Sequence, residues 1–93
     1  MVVWDEAKRR GNLRKHGLDF ADAYLVYDSP AKVTFRSSRS DEDRLVDLAM
    51  VKIAGTVLVL VYVERGNDIR VLSFRRSSRK ERRIYEQALE EQD

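Results

Sequence analysis

The chain has 93 residues, 43% apolar and 37% charged, with a net charge of +2 and no cysteine. That length fits one domain spanning 1–93 with a modest core, so any site must sit on a sheet surface or in a shallow groove. Disulfides, thiolate metal sites and cysteine nucleophiles are excluded.

Met1 to Trp4 is short and β-favouring, a candidate edge strand. This start lacks the basic head and long apolar core of a signal peptide. The longest apolar run, Val57 to Val63, is far below the ~20 residues a membrane span needs. The expectation is a soluble cytoplasmic protein with no membrane contact. Asp5 reads as a helix N-cap, opening a weakly amphipathic helix from Glu6 to His16. Gly17 suits the left-handed residue after it. Asp19 reads as the cap of a second helix whose apolar face is Phe20, Ala23, Tyr24 and Tyr27, ended by Ser29-Pro30. Val33 to Phe35 forms a short strand, and Arg36 to Asp43 a polar loop.

Two strands, Arg44 to Ile53 and Val57 to Glu64, are joined by Ala54-Gly55-Thr56. The second is apolar on both faces, as a central strand is. Gly66-Asn67 suits a tight turn into a last strand, Ile69 to Arg76. Ser78 and Glu81 match a capping box for a helix running to about Glu91, with Ile84, Ala88 and Tyr85 as its sheet-facing candidates. The class is α+β: two N-terminal helices, an antiparallel four-stranded sheet with the short N-terminal strand as a candidate fifth, and a C-terminal helix. A turn at Gly66-Asn67 places Glu64, Tyr62, Leu60 and Leu58 opposite Ile69, Val71, Ser73 and Arg75. Glu64, Ser73 and Arg75 then share one face, and Arg70, Leu72 and Phe74 the other.

Charge is unevenly spread. Positions 64–83 carry eight Arg or Lys against three acids, and 86–93 carry four acids and no base. Such a basic block attracts a polyanion, or it is a solvated, salt-bridged face.

Trp4-Asp5, Lys8, Asn12, Lys15-His16-Gly17, Phe20 and Ala23 resemble the opening of the BrnT toxins. So does the run Glu64-Arg65-Gly66, Arg70, Ser73 and Arg75, followed by Glu81 and Tyr85. The resemblance covers nearly the whole chain. It implies a ribonuclease toxin of a type II toxin–antitoxin pair with a RelE-like fold. It also implies a BrnA-like ribbon-helix-helix antitoxin that neutralises the toxin and represses their operon, so operator DNA is met only through that partner. Two departures stand out. Ser77-Ser78 replaces a typical Ala-Thr, and Phe74 replaces a typical alanine, adding bulk beside the expected site.

Metal-independent RNA cleavage requires a base for the 2′-hydroxyl, an acid for the leaving oxygen and cations for the phosphorane. The candidates are His16, Glu64, Arg70 and Arg75. His16 titrates near neutrality, or it simply bonds carbonyls at its helix end. Glu64 is a base, or the partner of Arg65 or Arg70. Arg70 and Arg75 suit a phosphate clamp. Arg44, Arg65, Arg76, Arg79, Lys80 and Arg83 are candidates for RNA backbone contacts. Glu81 reads as a cap and Tyr85 as core. One histidine and no cysteine give no metal site, and no cofactor is expected. The competing function is a non-catalytic nucleic-acid-binding or antitoxin-like interaction module that uses the same basic stripe.

Overall fold

The computed structural model describes residues 1–37, 44–51 and 55–91. The elements are β1 (Val2–Val3), α1 (Glu6–His16), a 3-10 turn (Phe20–Asp22), α2 (Tyr24–Tyr27), β2 (Val33–Ser37), β3 (Arg44–Val51), β4 (Thr56–Arg65), β5 (Asp68–Arg76) and α3 (Arg79–Glu91). Among the described residues no helix is long and apolar enough to cross a membrane.

The strands form one sheet in the order β1-β5-β4-β3-β2. β1 runs parallel to β5, and the other neighbours are antiparallel. The α+β class is as expected, but the sheet is five-stranded and mixed. The expected second helix also shrinks, to a 3-10 turn and a single turn of α-helix. Asp19 does cap it, accepting from the Ala21 N–H at 3.0 Å. Its buried positions are Phe20, Ala23 and Val26, a spacing of three that fits a 3-10 turn. Tyr24, expected on the apolar face, is 53% exposed. Arg36 and Ser37 extend β2 rather than opening a loop. The rest of that expected loop, 38–43, and Lys52, Ile53 and Ala54 lie outside the described residues.

Helix α1 follows its sequence signals closely. Asp5 accepts from the Lys8 N–H at 3.1 Å, and Gly17 takes φ 70° while its N–H reaches the Leu13 carbonyl. The helix buries no residue fully, so apolar packing is not what seats it. Arg9 makes a two-pronged ion pair with Asp19 at 2.8 and 2.9 Å. Asn12 supplies the other tie. Its amide donates to the Phe74 carbonyl at 2.7 Å and accepts from the Phe74 N–H at 3.2 Å. β1 pairs β5 only at Ile69 and Arg70. Further along, the Asn12 side chain takes the place of a neighbouring strand and satisfies the free edge.

The hairpin register agrees with the expected one from Glu64↔Ile69 to Tyr62↔Val71, then shifts by one. Val61 pairs with Ser73, Leu60 with Phe74, Val59 with Arg75 and Leu58 with Arg76. Leu72 is the extra residue of a β-bulge. Side chains beyond it therefore lie on the opposite face from the one a regular ladder gives. Phe74 joins Leu58, Leu60, Tyr62, Val71, Phe20 and Val26 in the main core, 0% exposed. Ser73 and Arg75 fall on the other face with Val59 and Val61. The expected grouping of Glu64 with Ser73 and Arg75 is thus corrected, as is the placement of Phe74 beside the site.

On that second face α3 lays Tyr85 and Leu89 against Val46, Val57 and Val59. Ile84, expected to face the sheet, stays 39% exposed. The capping box forms as expected: the Glu81 N–H donates to Ser78 Oγ at 3.2 Å, and the Ser78 N–H donates to the Glu81 carboxylate at 2.8 Å.

Candidate active site

α3 covers only part of the second face. Between its first turns and β2 lies an open groove of about 690 Å³. Val46, Val61 and Leu72 form its floor, and Phe35 and Ile84 its apolar rim. Arg44, Arg75 and Lys80 bring positive charge to it, with Ser73 and Glu81 between them.

Arg75 is the groove cation held by a two-pronged ion pair. Its two terminal nitrogens reach the two Glu81 oxygens at 2.8 and 2.9 Å, and one also donates to the Arg76 carbonyl at 3.3 Å. Fork-to-fork pairing fixes the guanidinium plane. The same Glu81 caps α3, so a strand arginine, a helix N-terminus and a carboxylate are locked together. Arg75, followed by the Ser78 backbone, holds the Glu81 carboxyl down at about 2. Glu81 is therefore ionised at neutral pH, and it is too weak a base to take a proton there. The cap role expected for it is what it performs.

Arg44 opens β3 on the groove side. Its Nε is buried and has no hydrogen-bond partner among the described residues. A buried donor without a partner is costly to maintain, and an entering anion would satisfy it.

His16 ends α1 and lines a second recess, of about 310 Å³, that adjoins the groove through shared Leu72 and Ser73. Desolvation first, then the charges of Lys15 and Arg75, lower its pKa below the usual 6.5. The imidazole is thus neutral at pH 7, a proton acceptor. Its backbone carbonyl accepts from Arg76 at 3.2 Å, so Arg76 ties α1 to β5.

Other predicted residues lie elsewhere. Glu64 flanks the turn, is exposed, and shares the strand phase of Tyr62 and Leu60 rather than that of Val61. The bulge separates it from Arg75. Arg70 follows the face of its partner Val63 but lines neither recess. Arg65 stands at the exposed turn opposite Asp68. Arg79 and Arg83 are exposed on α3 outside the groove, while Lys80 lines it. Arg82 pairs along the helix with Glu86 at 2.9 Å.

The buried acid Asp47 was not among the expected site residues. It is 0% exposed on the core face and accepts from Lys32 at 2.8 Å, from Thr34, and from the Tyr62 hydroxyl at 3.2 Å. Burial, then the Asp47 charge, raise the Tyr62 pKa far above the usual phenol value. Lys32 also stands 4.2 Å over the Tyr27 ring. A lone acid in the apolar strand Leu45-Val46-Asp47 was the available signal. This network lies across the sheet from the groove and braces β2 against the core. Among the described residues no three His, Asp or Glu cluster as a metal site would require.

A family model describing the BrnT ribonuclease toxin of type II toxin–antitoxin systems matches residues 4–81. The chain belongs to the BrnT family. The match begins at Trp4 and ends at Glu81, so it takes in α1, strands β2 to β5 and the Arg75–Glu81 lock. No curated relative matches the chain. Membership in the BrnT family carries the reading of a ribonuclease toxin with an antitoxin partner and an RNA substrate.

Proposed function

We infer that this BrnT toxin is a metal-independent endoribonuclease that works in the cytoplasm, cutting RNA and so lowering translation. The observation that carries this is the shared groove of Arg44 and Arg75, with the Arg75 fork fixed by Glu81 and neutral His16 beside it. A scissile phosphate between the two guanidinium groups meets preorganised donors, which stabilise the phosphorane charge without reorganising. Neutral His16 accepts the 2′-hydroxyl proton as the 2′-oxygen attacks phosphorus. The bond to the 5′-oxygen breaks, and the ammonium of Lys80 returns a proton to it. The products are a 2′,3′-cyclic phosphate and a free 5′-hydroxyl. Glu64 and Arg70 have no part in this scheme.

The partner is a BrnA-like ribbon-helix-helix antitoxin, and operator DNA is contacted only through it. Apolar Phe35 and Ile84 on the rim, beside the cations, suit an amphipathic acidic segment that excludes RNA.

Purified toxin should cut single-stranded RNA in the presence of EDTA, and induction in a host should arrest growth with cuts in total RNA. Arg75→Ala should abolish both. Intact RNA after incubation with folded wild-type protein would reject the reading, as would growth arrest by the variant equal to wild type.

A further inference from the structure

Helix α1 is an unusual element for so small a protein. It is seated by Asn12 and Arg9, buries no side chain fully, and carries Lys8 and Lys15 seven residues apart on one face. Between them on that face is Gly11. Glycine is the least favourable residue in a helix interior after proline, and nothing local requires it here. Its φ is not positive, and a Cβ built on it meets no atom within 4 Å. The space over Gly11 belongs to the 310 Å³ recess, whose walls are Lys8, Lys15 and His16. Neither lysine ammonium has a carboxylate partner among the described residues. Leu72 and Ser73, at the bulge, line both this recess and the Arg75 groove. The two concavities therefore form one track across the edge of the sheet.

We propose that the Gly11 face of α1 is a second RNA subsite, which holds phosphates flanking the scissile one and leads the strand over the bulge into the Arg75 groove. The proposal rests on the ribonuclease reading above and extends it to residues that reading does not use. Lys8 and Lys15 supply the charge, and the missing side chain at Gly11 lets the backbone of a single strand lie close to the helix. A polynucleotide is favoured over an acidic protein segment because the recess walls are cationic and polar, with Leu72 their one large apolar side chain.

The test uses a 2′-O-methyl RNA 12-mer, which cannot be cut, and fluorescence anisotropy over a range of KCl. Each lost phosphate contact should lower the log–log salt slope by about 0.7. A Lys8→Ala/Lys15→Ala variant should therefore lose about 1.4 from the slope and bind on the order of tenfold more weakly at 0.1 M salt. Gly11→Glu should weaken binding at an unchanged melting temperature, because its side chain projects into open space. Gly11→Ala should raise the melting temperature, which shows that glycine is not kept for stability. Affinity and slope equal to wild type in the double variant and in Gly11→Glu would overturn the subsite. Weakened binding of polyglutamate at unchanged RNA affinity would overturn it in favour of a protein occupant. Wild-type protein that binds the 12-mer but leaves unmodified RNA intact contradicts the ribonuclease reading while keeping the subsite. Cleavage by wild type with no effect of the α1 variants does the reverse.

Discussion

The two faces of this sheet share the same strands and have opposite chemistry. The core face is closed by the 3-10 turn, α2 and α1's ties, and among the described residues it admits a single buried acid, Asp47, surrounded by three donors. The other face is only half covered by α3, and the uncovered half carries Arg44 and Arg75 above an apolar floor. The difference is set within β5 by one residue. Leu72 bulges, and every side chain after it changes sides. A large apolar residue goes into the core and an arginine goes to the groove, so one backbone irregularity serves stability and function together.

Deleting the extra residue tests whether this contrast needs the bulge itself or only the strand phase it sets. Deletion of Leu72 should give a regular ladder that keeps Phe74 opposite Leu60 and Arg75 opposite Val59, so the cooperative melt followed by circular dichroism should persist; its loss would show that the fold needs the bulge itself. Next comes the core side. Phe74→Ala should destabilise by about 3–5 kcal/mol in urea titrations, the usual range for a buried phenylalanine. Asp47→Ala should remove roughly 2–3 kcal/mol, since it leaves Lys32 and the Tyr62 hydroxyl without their acceptor. Asp47→Asn, which keeps an acceptor for Thr34 and Tyr62, should remove less. A reversed order for the two Asp47 variants would contradict the network described.

The groove side is sharpened by acid. Glu81 is depressed to about 2 from an ordinary 4.5, so its stabilising contribution is complete above pH 4.5 and is lost as pH falls toward 2. Glu81→Gln should be about 1–2 kcal/mol less stable at pH 7, and the gap to wild type should close across that interval. A gap that stays constant down to pH 2 would mean the Arg75 lock contributes nothing.

Much of this was legible in the sequence because it rests on local chemistry. Asp5 and Gly17 bound α1, Gly66-Asn67 makes the hairpin, and Ser78 with Glu81 starts α3. Each needs only its neighbours along the chain. The register beyond Tyr62 depends on packing across the sheet, and a regular ladder misplaced Ser73, Phe74 and Arg75. The signal was present in the phase of the strand. Ile69 and Val71 are two apart, and Phe74 follows at three, with Leu72 and Ser73 between. The parallel pairing of β1 and the clasp of Asn12 on Phe74 join residues more than sixty positions apart, and no local pattern encodes them. For the site, Arg44, Arg75, Lys80 and His16 were named from charge and position. The regular register groups Glu64 with Arg75, and the bulge separates them. Arg70, placed by that register on the opposite face, shares the Arg75 face in the structure but lines neither recess. Lys8 and Lys15 were visible as a motif, but the recess they wall exists only once α1 is docked on β5.

The central claim is that the groove fixes Arg75 to steady the phosphorane, and single-turnover cleavage of a labelled RNA in EDTA tests it most directly. Wild type and Arg75→Ala would be compared at saturating enzyme, with folding of both checked by circular dichroism. The account predicts a rate lower by on the order of a hundredfold in the variant, the usual loss when one preorganised donor is removed. Equal rates from two equally folded proteins would contradict it.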